Sequence, residues 1–195
     1  MINTTESEKE TKIWSQFRKG EKEAFAALFE CTSDRLFRYG MKFTPDQELV
    51  KDAIQDVFIK LHQNRTELPE NSNPVFYLFR IMKNTLIDAL RHKDKILFVS
   101  PQELPFYVEF VFENEENTND DDMKERFEKV MSLLSDRQKE AIYLRYQAEM
   151  TYEEISQLLG VNYQSARNLI HRAIEKIRLE MELALFITLF LSVVK

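Results

Sequence analysis

Cysteine is nearly missing from this chain. Cys31 stands alone among 195 residues, which excludes an internal disulfide and a thiolate metal site made by the chain itself. Cys31 is read as a small core residue. Glycine is scarce too: three residues cannot supply a Gly-rich phosphate loop. The three histidines, His62, His92 and His171, fall on separate helical stretches without metal-ligand spacing. No nucleophile elbow and no paired-carboxylate motif is present. The expected activity is therefore binding rather than catalysis, with no cofactor and no metal. The opening MINTTESEKETK is polar and lacks an apolar leader segment, which predicts a cytoplasmic protein. The one long apolar run, Leu183 to Val194, is interrupted only by Thr188 and Ser192. It falls well short of the roughly 20 residues that a bilayer span needs. It is read as a packed C-terminal helix or a protein-docking segment, with no membrane insertion.

What remains is a charged, helix-prone composition, with 31% Asp, Glu, Lys and Arg. The net charge of −6 is unevenly spread. Residues 1–95 are at net +1, residues 96–125 at net −8 and residues 126–195 at net +1. The acidity is thus confined to the middle, and the flanking parts keep local basic faces. A chain with so little excess positive charge binds DNA weakly alone, because nonspecific affinity comes from neutralising phosphates. A partner has to supply the rest.

The strongest local signal lies at TYEEISQLLGVNYQSARNLIHRAIEKIR, residues 151–178. Thr151 and Glu154 have capping-box spacing, so a helix starts near Tyr152. Gly160 can take the left-handed backbone that closes it, and Asn162 can cap the next helix. Ala166, Leu169, Ile170, Ala173, Ile174 and Ile177 form an apolar stripe. Gln164, Ser165, Arg167, Asn168, His171 and Arg172 lie mostly off it. A short helix, a tight turn and a longer helix with an amide- and Arg-rich outer face fit a DNA-reading helix-turn-helix. An ordinary helical hairpin with a solvated face is the competing reading.

The earlier part of the chain reads as further helices. Residues 1–9 are expected to be disordered, followed by a short helix from Lys12 to Lys19 that presents Ile13, Trp14 and Phe17. The next helix starts near Glu21 and carries Phe25, Leu28 and Phe29. Leu36, Tyr39 and Phe43 continue it, or follow a break near Thr32 and Ser33. From Glu48 to Asn64, Ile54, Val57, Phe58 and Leu61 repeat at core-facing spacing. Asp52, Gln55, Asp56 and Ile59 then face the other way, as a solvated surface or a docking face. Residues 66–73 are a turn-rich loop containing Glu70, Asn71, Ser72 and Asn73. Pro74 opens a helix to about Lys93, whose buried stripe is Leu78, Met82, Thr85, Leu86 and Ala89. Arg80, Lys83, Asn84, Asp88 and Arg91 lie outside the stripe. Cations interleaved with Phe76, Tyr77 and Phe79 suit unpaired nucleic acid, where aromatics stack on bases. They equally suit a core helix with a solvated charged face.

Residues 96–125 read as a linker. An alternating run, Phe106 to Phe112, is a short strand or an extended peptide docked in a partner's groove. The acidic run after it cannot bury enough apolar surface to fold alone. A second helical domain follows from near Phe127, with a capping box at Ser135 and Gln138.

Four segments in order then resemble one family. RKGEKEAFAALFECTSDRLFRYGMKFT, DAIQDVFIKLHQNR, YLFRIMKNTLIDALRHK and LSDRQKEAIYLRYQAEMTYEEISQLLGVNYQSARNLIHRAIEKIR are similar to successive parts of bacterial sigma-70 family RNA polymerase sigma factors of the extracytoplasmic function type, group four. The resemblance covers residues 13–95 and 127–178. It implies an all-α protein of two small helical domains. A region 2 helical bundle at residues 10–95 and a region 4 helix-turn-helix at residues 126–180 are joined by an acidic extended linker at residues 96–125. The apolar extension, residues 181–195, lies outside the family pattern.

The resemblance further implies promoter-specific transcription initiation. Asp52, Gln55, Asp56 and Ile59 would contact the clamp of the RNA polymerase core, whose flap would be a second contact. Glu70, Asn71, Ser72, Asn73, Tyr77, Arg80, Lys83, Asn84, Asp88 and Arg91 would bind the −10 strand, the loop holding a flipped-out base. Gln164, Ser165, Arg167, Asn168, His171 and Arg172 would face the −35 duplex. The linker would thread the RNA exit path, and an anti-sigma factor or recruiting protein would regulate the chain. Three positions depart from the pattern: Tyr77 and His62 stand where tryptophan is usual, and Asn168-Leu169 where Ser-Arg is common. The alternatives are a stand-alone helix-turn-helix regulator and a sigma-like adaptor recruited by another DNA-bound protein.

Overall fold

The computed structural model describes residues 4–70, 73–94, 104–108 and 119–193. It divides into two compact units, Met1–Pro101 and Gln102–Lys195. Among the described residues all regular structure is helical.

The first unit is built from α1 (Thr4–Lys19), α2 (Lys22–Gly40), α3 (Gln47–Gln63), a 3-10 turn (Arg65–Glu67) and α4 (Pro74–Asp94). Gly20, at φ 92°, makes the corner between α1 and α2 in a region that side-chain-bearing residues avoid. Asp46 starts α3 by accepting the Leu49 N–H at 3.1 Å. Asn73 accepts the Val75 N–H at 3.0 Å, and Pro74, which has no N–H to satisfy, begins α4. The core joins Trp14, Phe17, Leu28, Leu36, Tyr39, Val57, Leu61 and Phe79, with Tyr39 and Phe79 stacked at 4.4 Å. A Cβ at Gly40 would lie 2.7 Å from Met82 Cε and from Val50 Cγ1, so α2 approaches its neighbours only because that position is bare.

Two expectations fail here. Residues 4–9, expected to be disordered, are helical as the start of α1. Glu10, in the same helix, is buried and accepts from the Arg35 guanidinium at 2.6 Å, a charge-assisted bond that ties α1 to α2. No break occurs near Thr32. Its hydroxyl donates to the Leu28 carbonyl at 2.6 Å and is satisfied inside the helix. Cys31 is half-buried rather than a full core residue. Burial, then the Glu10 carboxylate, pushes its thiol above the ordinary range. Alkylation at pH 8 is therefore expected to run several-fold slower in the native chain than in urea. Equal rates, read by mass spectrometry, would contradict that placement.

The second unit contains an extended segment at 104–108, α5 (Asn119–Leu133), α6 (Asp136–Tyr146), α7 (Tyr152–Leu159), α8 (Tyr163–Glu180) and α9 (Leu183–Val193). Reciprocal capping boxes open α6 at Ser135/Gln138 and α7 at Thr151/Glu154. Gly160, at φ 63°, closes α7, and Asn162 caps α8 by accepting the Ser165 N–H at 2.7 Å. Ile155, Leu158, Leu159, Ala166, Ile170, Ala173 and Ile177 are buried between these helices. The apolar run does not prolong α8. The chain turns at Met181, in extended backbone, and α9 packs back. Phe186 and Phe190 stack on each other at 5.5 Å, and Phe186 stacks on Phe127 of α5 at 5.5 Å, all three buried. Among the described residues no helix is long and apolar enough to cross a membrane.

Candidate protein and nucleic-acid interfaces

Three faces carry the residues singled out from sequence. The first is the outer side of α3. Burying Val50, Ala53, Ile54, Val57, Phe58 and Leu61 turns Asp52, Gln55 and Asp56 outward at helical spacing. Ile59 stands 52% exposed in line with them. Asp46, Glu48, Asp52 and Asp56 border a shallow groove of about 410 Å³ whose far wall is Thr85 and Ala89 of α4. Of these carboxylates, Glu48 is paired with Lys51 at 2.7 Å. The groove is a negative, partly apolar strip suited to a basic partner surface.

The second face is α4 with the loop before it. Arg80 is exposed and lies over the rings of Phe76 and Tyr77, 5.7 and 5.0 Å from their centroids. Asn84 and Asp88 are exposed, and Asp88 meets Arg91 at 3.8 Å. Tyr77 is half-buried, 5.4 Å from Trp14, so only part of its ring is open for stacking. Lys83 departs from its expected position outside the stripe. It is buried, with Nζ 5.9 Å from the Phe43 ring centroid. Because α4 packs against α1, α2 and α3 together, its buried sector widens to include Phe76, Phe79, Lys83 and Ile87. The aromatics Phe76 and Phe79 thus belong to the core rather than to a stacking platform. Glu70 and Asn73 are exposed, whereas Asn71 and Ser72 lie outside the described residues. Two contacts that the sequence reading missed hold the loop. The Trp14 indole N–H donates to the Pro69 carbonyl at 3.0 Å, and Arg18 approaches Glu70 at 3.6 Å. A pairing 55 positions apart leaves no periodic trace in sequence.

The third face is the outer side of α8. Gln164, Arg167, Asn168, His171 and Arg172 are exposed, and Ser165 is half-buried. Gln164 Nε2 donates to Asn168 Oδ1 at 3.2 Å, which holds two amides side by side. His171 lies 3.6 Å from Glu175 and is largely exposed. Arg137 of α6, absent from the sequence reading, joins this face. It donates to the Leu159 carbonyl at 3.0 Å and shares a groove of about 350 Å³ with Ser165, Asn168, Leu169 and Arg172. Fixed amides and cations on the open side of a helix-turn-helix are the groups that base edges and phosphates accept from. Among the described residues no cluster of His, Cys, Asp and Glu could hold a metal ion.

Comparison with known proteins places these units in context. The family model "Sigma-70 region 2" matches residues 28–96, and "Sigma-70, region 4" matches residues 124–177. The ECF RNA polymerase sigma factor SigW of Bacillus subtilis (strain 168) is 22% identical over 174 residues, covering 85% of this chain and 93% of SigW. The structure of CnrH in complex with the cytosolic domain of CnrY superposes with a TM-score of 0.57 at 19% identity, covering 87% of this chain and 95% of CnrH. The sigma factor RpoE of Bartonella quintana, solved with the anti-sigma factor NepR, gives 0.57 at 19% identity, covering 80% of this chain and 95% of RpoE.

Proposed function

The chain belongs to the sigma-70 family, in its extracytoplasmic function branch, and from that premise we propose that it is a dissociable specificity subunit that leads RNA polymerase to promoters. The carrying observation is that two separate helical units each match a different sigma region, in family order, and each presents its own polar face. The division of labour follows from the chemistry of the faces. The exposed strip Asp52, Gln55, Asp56 and Ile59 docks on the polymerase clamp. The loop at Glu70–Asn73 and the outer side of α4, with Tyr77, Arg80, Asn84, Asp88 and Arg91, hold the unwound −10 strand. Buried Lys83 serves that face by its field rather than by contact. Gln164, Ser165, Arg167, Asn168, His171 and Arg172 read the −35 duplex, with Arg137 on the flanking phosphates.

In this reading the domains are residues 10–95 and 126–180, with 96–125 as the link. Polymerase core supplies most of the affinity for DNA that a chain of net charge −6 lacks. The protein works without catalysis of its own, in the cytoplasm where polymerase and promoter meet. By extension from RpoE, which is solved with an anti-sigma factor, a regulatory protein of that kind is its second partner class.

Arg172 gives a direct test of the third face. As a phosphate contact, Arg172→Ala is expected to weaken promoter binding to about the same degree for every −35 variant. It should also reduce the slope of log K against log salt by about one. Binding of holoenzyme to a panel of fragments over a salt series measures both. A changed order of preference among −35 sequences would mean that Arg172 reads bases.

A further inference from the structure

Residues 104–108 run extended, outside any helix, and fall within the second unit. Pro105 favours that course: its ring fixes its own φ and drives the preceding residue into extended backbone. Alternate side chains of an extended segment leave on the same side. Leu104 and Phe106 are accordingly both buried, at 8% and 1% exposure, while Tyr107 is 51% exposed. Phe106 meets Tyr143 of α6 edge to face at 5.6 Å, and Tyr143 is itself buried. Two apolar side chains therefore fasten this short strap to the helical part of its unit.

We propose that the place beside Tyr143 is a docking seat for an extended apolar-Pro-apolar peptide, and that the chain's own segment 104–108 occupies it as a releasable clasp. Burial of two side chains opposes the ordering of five residues, and gain and cost are of the same order. The clasp can then open while α6 stays folded. Opening changes the reach of the chain. With the strap seated, nine residues, 95–103, separate it from the end of α4 at Asp94. With it released, twenty-four residues, 95–118, separate α4 from α5 at Asn119. The corresponding fully extended spans are about 35 Å and about 85 Å. If the two units bind DNA as proposed above, the clasp controls how far apart their two elements can lie.

The test needs neither polymerase nor DNA, so its outcome is independent of that functional reading. A fluorescent peptide of residues 102–108, QELPFYV, is titrated with the full chain, wild type and L104S/F106S, and followed by anisotropy. The variant is expected to bind at least tenfold more tightly, since in the wild type a tethered strap competes at high effective concentration. Equal affinity for both chains overturns the proposal, as does no binding to a variant whose circular dichroism matches wild type. Should the variant fail to fold, hydrogen exchange on the wild type decides. The Phe106, Tyr107 and Val108 amides exchange at least tenfold faster than the α6 amides if the clasp releases locally, and together with them if it does not.

Discussion

Replacing Trp14 with alanine is expected to destabilise the first unit by about 3–5 kcal/mol while leaving the second unit unchanged. Trp14 is fully buried, and its ring lies 6.4 Å from Phe17 and 5.4 Å from Tyr77. Truncation opens a cavity at the junction of α1 and α4, where close packing leaves nothing to fill it. It also takes the donor from the Pro69 carbonyl, which the indole meets at 3.0 Å. The loop leading into α4 then loses its main anchor. Trp14→Phe keeps most of the ring volume but not the donor, and should cost about 1–2 kcal/mol. Urea titration distinguishes the effects. Trp14 is the sole tryptophan, so in the wild type its fluorescence follows the first unit while circular dichroism follows both. In Trp14→Ala one part of the circular dichroism transition should move to lower urea and the other stay in place. A change below about 1 kcal/mol would contradict the assigned packing.

The second large effect concerns binding. Asp52→Lys/Asp56→Lys is expected to weaken association with polymerase core by two orders of magnitude or more, at about 2–5 kcal/mol for disrupting charges at an interface. Both residues are exposed, and Asp46 and Glu48 beside them keep the strip negative. Reversing two of the four carboxylates places positive charge where a basic partner surface would dock. The fold should be unaffected, because neither side chain is part of the core. Competition with a labelled wild-type chain for core enzyme measures the loss. Core affinity within threefold of wild type would remove the docking role from this face, whatever the status of the two DNA faces.

Much of this architecture can be read from the sequence because its devices are local. Thr151 with Glu154, Gly160 and Asn162 set the start, stop and restart of α7 and α8 within twelve residues, and all appear in place. The stripe at Ile54, Val57, Phe58 and Leu61 works the same way: burying it determines which side of α3 Asp52, Gln55 and Asp56 occupy. The family resemblance rests on those same local patterns, and the sigma-70 models match the corresponding spans.

The parts that escaped are those decided by neighbours distant in sequence. Helical spacing puts Lys83 near the edge of the stripe, and only the packing of three helices around α4 turns that edge into interior. Burial of the run at Leu183–Val193 depends on Phe127, more than fifty positions earlier. Phe106 looked like a guest for another protein's groove, yet its seat is Tyr143 in the same unit. Arg137 joins the α8 face because its guanidinium reaches the last carbonyl of α7. Periodicity within one element carries no information about any of these encounters.

The central claim is that this chain gives polymerase its promoters, and transcription in vitro tests it most directly. Purified bacterial core enzyme is supplied with a library of random upstream sequences, with and without the protein, and the RNA 5′ ends are sequenced. The account predicts new start sites that share two motifs at a fixed separation, one near −10 and one near −35. If the chain binds core tightly yet produces no new starts, it is not a sigma factor in function, and its two polar faces serve some purpose other than reading promoter DNA.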